Sequence, residues 1–254
     1  MRKHLSPENF RELAESLPGV VYCHVNDWAK TCIRAHLDPS IKVLVVSGGD
    51  EAMDDRRAEL IPDTVARVFA TNAITAHPKV AGIPLGLADS NLPHGKWENI
   101  VAAREVEIDK LLHADFAINT NRPVRSHALM VATVMRAQMP DQVTVRCYDS
   151  HVHRPLPHDE YLRIMTRHHY VLSPFGSGYD CHRTWEALYV GCVPIVEKLK
   201  ELPLKAMLDL FPVEYAENMT PVLLDLDSER ASVDPDRVEP LWTDYWRKRI
   251  EEHL

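Results

Sequence analysis

The chain is poor in glycine, with nine residues in 254. That excludes Gly-rich linkers and collagen-like repeats, so the glycines that remain are informative by position. Four of them fall in two groups, Gly48-Gly49 and Gly176-Ser177-Gly178, each just after an apolar, strand-like run. Cysteine is scarce and odd in number: Cys23, Cys32, Cys147, Cys181 and Cys192, with no CxxC pair. This excludes a disulfide framework and a zinc ribbon. Reduced, mostly buried thiols in a cytoplasmic protein are expected. No apolar run approaches the ~20 residues that a membrane-spanning helix needs. The N-terminal MRKHLSPENFRELAESL is basic at its start but lacks an apolar core, so no signal peptide is expected. Without secretion, the sequon Asn218-Met219-Thr220 has no glycosylation role. A basic excess is also missing: 29 Lys and Arg stand against 37 Asp and Glu, a net charge of −8. The acidic balance argues against nucleic acid or an anionic membrane surface as partner. A small anionic ligand, which needs only a few local cations, is still allowed.

What is present is an alternation of elements. Ser6-Pro7 predicts a helix start, with Ser6 as N-cap and the helix running to Ser16. Val20–His24 reads as a strand and Trp28–His36 as a helix. Lys42–Ser47 is a continuous β-branched run, as expected of a strand covered on both faces. Val65–Ala70 and Val80–Pro84 read as short strands, and Trp97–Leu112 as one long amphipathic helix. In the second half, strands are predicted at Phe116–Asn119, Val143–Tyr148, Tyr170–Ser173, Val193–Val196 and Val222–Asp225. Helices are predicted at His127–Gln138, His158–Arg167, Asp180–Tyr189 and Val238–His253. Strand–helix alternation indicates parallel sheets. The expected class is α/β, with two small doubly wound, Rossmann-like units, 1–112 and 113–254, facing across a cleft. Whether the last helix crosses back onto the first unit is left open.

The most informative stretch is YVLSPFGSGYDCHRTWEALYVGCVPIV, from Tyr170 to Val196. A strand ends in a loop with Ser173, Pro174, Gly176, Ser177 and Gly178, and a helix follows. Glycines let backbone amides approach an anion, and a helix N-terminus offers unpaired N–H groups and partial positive charge. Arg183 adds a guanidinium fork matched to phosphate oxygens. Glu186, on the same helix face, is placed either to accept ribose hydroxyls or to pair with Arg183. Asp180 reads as the helix N-cap, and His182 as a contact to phosphate or sugar. Arg125, after the first strand of the second half, is either a second cation for a diphosphate or a solvated loop residue. Asn119, Thr120, Asn121 and Asp149-Ser150 read first as turn residues. The third glycine of a dinucleotide fingerprint falls at Cys181, which argues against NAD.

This stretch resembles the donor-binding half of GT-B glycosyltransferases, most closely the exostosin-like enzymes. The residues that carry the resemblance are Ser173-Pro174-Phe175-Gly176, Arg183, Glu186-Ala187-Leu188 and Gly191-Cys192-Val193-Pro194-Ile195-Val196. Phe69–Leu87 (FATNAITAHPKVAGIPLGL) and Phe116–Arg125 (FAINTNRPVR) are more loosely similar to related sugar transferases. The resemblance implies a compact GT-B fold in which the small loop holds a diphosphate and the glutamate contacts the ribose. It also implies a sugar-nucleotide substrate, a glycan or other hydroxyl acceptor, and no metal cofactor. Phe175 stands where family members often have arginine.

An acceptor hydroxyl must lose its proton, so the first unit is searched for a base. Asp50 and Glu51, after Gly48-Gly49 at a strand end, are the candidates, ahead of His24 and Asp27. His151, His153 and His158 with His168-His169 lack further ligands at metal-binding spacing, and no metal site is expected. Two other readings stay open: a sugar-nucleotide epimerase on the same scaffold, and an inactive domain that binds a glycan or a protein partner.

Overall fold

The computed structural model describes residues 2–149, 156–200, 202–220, 226 and 232–254. The strand expected at 222–225, and His151 and His153, lie outside the described residues. Two parallel sheets organise the chain. The first contains β1 (Val20–His24), β2 (Val43–Ser47), β3 (Arg67–Ala70) and β4 (Val80–Gly82), in that order. Their register aligns Cys23 with Val46 and Val46 with Ala70, so the strands end together. Strand order that follows chain order, with right-handed crossovers, puts the connecting helices α2 (Trp28–Leu37) and α3 (Asp55–Ala58) on one face. Val43 and Val45 belong to one core and Leu44 and Val46 to another, which is why this strand is apolar at every position.

The opposite face is covered by α1 (Pro7–Glu15) and the C-terminal helix α9 (Thr243–Glu251). Ser6 caps α1 by accepting from the Asn9 amide. Phe10 meets Trp246 edge-on at 6.4 Å between ring centroids, and Arg247 donates to the Ser16 hydroxyl at 2.9 Å. The end of the chain therefore packs on the first sheet.

The second sheet has the order β6-β5-β7-β8-β9. Its strands are β5 (Lys110–Ala114), β6 (Val143–Val145), β7 (His168–Leu172), β8 (Val193–Glu197) and β9 (Glu214–Ala216). The helices between them are α5 (Arg122–Gln138), α6 (His158–Thr166), α7 (His182–Tyr189) and α8 (Pro203–Leu208). Two sequence expectations are corrected here. The helix predicted to run to Leu112 stops at Ala103, forming α4 (Trp97–Ala103). Lys110 and Leu112 then pair with His168 and Tyr170; ladder formation against a central strand outweighs helical periodicity. β5 therefore straddles the boundary expected between 112 and 113. The strand predicted at Phe116–Asn119 is replaced by a single Ala117–Tyr148 bridge and a 3-10 turn, Ile118–Asn121, that feeds α5. Asn119, Thr120 and Asn121 are turn formers, and Pro123 in the first turn fixes the helix start.

One core position carries a pH consequence. His168 bridges the Ile164 carbonyl and the Thr144 hydroxyl, both at 2.8 Å, and its ring lies 5.0 Å from that of buried His113. Burial pulls the pKa of His168 down to about 4, and burial also holds His113 well below the ordinary range. A histidine depressed in the native state contributes stability that is present above its unfolded pKa, near 6.5, and lost as pH falls toward 4. Between pH 7.5 and 4.5 the wild type is expected to lose about 2 kcal/mol more than His168→Gln. Denaturant unfolding at both values tests this, and parallel losses in the two proteins would mean that His168 titrates normally.

Candidate functional site

In the second sheet the chain leaves β5 toward β6 on one side and β7 toward β8 on the other. Open parallel sheets bind ligands where strand order reverses in this way, outside the carboxyl ends of the strands. The loops that leave β5 and β7 meet there, against the ends of β2 and β3 from the first sheet. A cavity of about 180 Å³ lies between them, lined by residues that include Asp50, Gly176, Ser177, Gly178, His182 and Arg183.

Arg183 sits in the first turn of α7, whose N-cap residue, Cys181, makes no side-chain cap. Its Nε donates to the Asp115 carbonyl at 2.8 Å, and its guanidinium lies 5.5 Å from the centre of the Phe116 ring. Its Nη1 is buried with no acceptor. Burial opposes the charge of Arg183, but Tyr161, Cys181, Asp115 and Glu186 nearby raise its pKa. A sealed guanidinium N–H without an acceptor is costly unless an anion arrives.

Arg125 lines the same cavity as Arg183 and is also tied to the loop beside it. It donates to the carbonyls of Phe175 (2.8 Å), Ala117 (2.7 Å) and Pro174 (3.3 Å), fastening the 174–178 loop to α5. Burial, and then the charge of Arg183, lowers its pKa. A Cβ on Gly176 would stand 2.6 Å from the Arg125 Nη2, so a larger residue there would displace this guanidinium. Loop amides are partly consumed as well, since Gly176 N–H donates to the Gly178 carbonyl at 3.1 Å. Ser173 bonds to Thr184 at 2.9 Å and ties the strand end to α7.

Asp180 is not the N-cap of α7. Its carboxylate is buried and accepts from the Leu85 amide and the Trp185 indole, both at 2.8 Å. Its own amide donates to Asn72 Oδ1 at 2.7 Å. Asn72, with φ +50° at the end of β3, was not singled out from the sequence as a site residue; a left-handed asparagine at a strand end is the signal that only the backbone reveals. His182 donates from Nδ1 to the Gly86 carbonyl at 2.7 Å. These contacts fasten the α7 end of the second unit to the first.

Glu186 does not line the cavity. It is buried, 1% exposed, and is bound by His158 Nε2 at 3.0 Å and the Tyr161 hydroxyl at 3.2 Å, both from α6. Glu51 is turned outward onto Arg57 and lines a different surface hollow, while Asp50 remains at the inter-unit cavity. A second cavity, of about 410 Å³, flanks the start of α5 and the end of β8, and His127, Glu197 and Asn218 line it. Sequence reasoning passed over Glu197, the last residue of β8. Burial raises its pKa, and the backbone amides of Asn218 and Met219 oppose the rise. Among the described residues, no group of three or more His, Cys, Asp or Glu is placed to hold a metal ion.

No protein-family model matches the chain, and no curated protein matches it. Among solved structures, UDP-GlcNAc 2-epimerase from Methanocaldococcus jannaschii, in complex with UDP-GlcNAc and UDP, is similar over 90% of this chain and 75% of its own. The identity is 12% and the TM-score 0.42, too low to assign a family. The exostosin-like resemblance therefore rests on the residues from Ser173 to Val196. The chain is an α/β protein of two parallel-sheet units with a cation-lined cavity at the strand ends between them.

Proposed function

We propose that the chain is a glycosyltransferase that takes a sugar from a nucleotide-diphosphate donor and passes it to a hydroxyl acceptor without a metal ion. The observation that carries this reading is the buried, acceptorless Nη1 of Arg183 at the N-terminus of α7, in the crevice where strand order reverses. A diphosphate supplies the missing acceptor and gains the positive end of the helix. The cavity of about 180 Å³ suits the phosphates alone, since small-molecule sites usually span ~300–1,000 Å³. A second cavity, of about 410 Å³, flanks the start of α5, the helix whose Arg125 lines the first, and there Glu197 is the carboxylate offered to the ribose hydroxyls. Glu186 becomes a positioning residue that orients α6 against α7.

In the transfer step the acceptor oxygen attacks the anomeric carbon, and the bond to the diphosphate oxygen breaks. The diphosphate leaves with the electron pair, held by Arg183. Asp50, the carboxylate at the cavity, takes the acceptor proton. The test is incubation with UDP-, GDP-, CDP- and dTDP-sugars and a mixed glycan pool, in EDTA, with products read by mass spectrometry. A glycosylated acceptor supports the proposal; an isomerised sugar nucleotide with no transfer points instead to the epimerase. Asp50→Asn is expected to lower kcat by about 10²–10⁴, whereas Glu51→Gln should stay within about twofold because its partner Arg57 lies outside the site. Equal losses in both variants would remove Asp50 as the base.

A further inference from the structure

We infer that a second site, unconnected with the sugar-nucleotide reading, binds a small organic anion made of one carboxylate or phosphate head on an apolar body. It lies where the β3–β4 edge of the first sheet meets α8 and α9, in a cavity of about 490 Å³. That volume falls in the ~300–1,000 Å³ range of small-molecule sites. Its lining shares no residue with the inter-unit cavity.

The lining divides into two chemistries. Phe69, Met207, Leu210 and Trp246 make an apolar surface, and Arg67 and Arg249 bring two guanidinium groups. Among the described residues, no Asp or Glu lines the cavity, although acids outnumber bases along the chain. Arg67 donates from Nη1 to the Pro78 carbonyl at 2.7 Å, but its Nε is buried with no acceptor. Arg249 reaches the Tyr245 hydroxyl at 3.1 Å and otherwise stands exposed at the cavity. Burial, and then the charge of Arg249, lowers the pKa of Arg67; the same two arginines also depress His253, after burial. Two like charges that feel each other, one of them with a sealed N–H lacking an acceptor, form a site that an anion completes. The aromatic and aliphatic walls select an anion that also carries apolar surface to bury.

The test is isothermal titration of the full chain with 4-phenylbutyrate and phenyl phosphate. The neutral 4-phenylbutan-1-ol and inorganic phosphate serve as the body without the head and the head without the body. At least one aryl anion is expected to bind about tenfold more tightly than either control and to perturb Trp246 fluorescence. The stronger of the two identifies the head group. Arg67→Gln and Arg249→Gln are each expected to weaken that binding about tenfold. Arg249 is exposed, so its variant keeps the fold even if the Arg67 variant does not. Equal binding of the alcohol, unchanged affinity in Arg249→Gln, or no binding in the millimolar range would overturn the inference. Diphosphate binding at Arg183 is measured in the same variants and is expected to be unchanged, so the failure of one site is distinguishable from failure of the other.

Discussion

Arg183→Ala is expected to abolish stabilisation by a nucleoside diphosphate and to lower kcat/KM by about 10²–10³, the effect of removing one preorganised donor from a developing anion. A charge-assisted hydrogen bond contributes about 1.5–3 kcal/mol, and the Nη1 of Arg183 has no acceptor within the protein. Folding should change little. The variant loses the bond to the Asp115 carbonyl, and it also loses a buried donor that nothing satisfied. A ligand that binds only the native state raises the melting temperature by mass action. The measurement is thermal shift with UDP, GDP, CDP, dTDP and ADP in EDTA, on wild type, Arg183→Ala and Arg183→Lys. One diphosphate should stabilise the wild type, fail with alanine, and act partially with lysine, which keeps the charge but not the fork. A full shift in the alanine variant would remove Arg183 from the site, and with it the donor reading. A shift that survives only without EDTA would point to a bound metal.

The architecture was legible in the sequence because parallel strands buried on both faces cannot alternate. Lys42–Ser47 is apolar at nearly every position and became β2, feeding one core with Val43 and Val45 and the other with Leu44 and Val46. The loop and helix after β7 were legible for a similar reason: glycines followed by Asp-Cys-His-Arg leave few alternatives to a turn and a helix start. Residues 104–112 carry a helical pattern yet are not helix, since the pairing of Lys110 with His168 is decided by a strand more than fifty positions away.

At the site, the sequence identified the segment better than it identified the role of each side chain. The three-residue spacing of Arg183 and Glu186 suggested one shared face, but His158 and Tyr161 of α6 claim the carboxylate. Arg125 lines the cavity as a second cation, but it also ties down the loop through three carbonyls, a role that the sequence did not show. Such assignments depend on which groups the fold delivers to a given point, and helical spacing carries no information about α6. The same holds for Glu197, which looks like an ordinary strand end until α5 places His127 at the same cavity.

Asp180→Ala is expected to be the most destabilising single change near the site. The carboxylate joins the units by accepting from Leu85, ninety-five positions away, and from the indole of Trp185, which is fully buried. Truncation leaves two sealed donors without acceptors, at about 1–3 kcal/mol each; a loss of about 3 kcal/mol is expected at pH 5. The loss depends on pH. Burial pushes the Asp180 carboxyl up to about 7, against the downward pull of its donors Leu85, Trp185 and the Cys181 amide. A group raised in the native state contributes stability that is fully present below its unfolded pKa, near 3.9, and is lost as pH climbs through 7. The stability gap between wild type and variant should therefore narrow by about 3 kcal/mol between pH 4 and pH 8, and the two should unfold at similar denaturant concentrations at the alkaline end. His168 runs the other way, losing stability as pH falls, so the wild-type curve alone mixes the two groups and only the difference between wild type and variant isolates Asp180. A gap that widens with pH would show that the hydrogen-bond donors outweigh burial and hold Asp180 ionised.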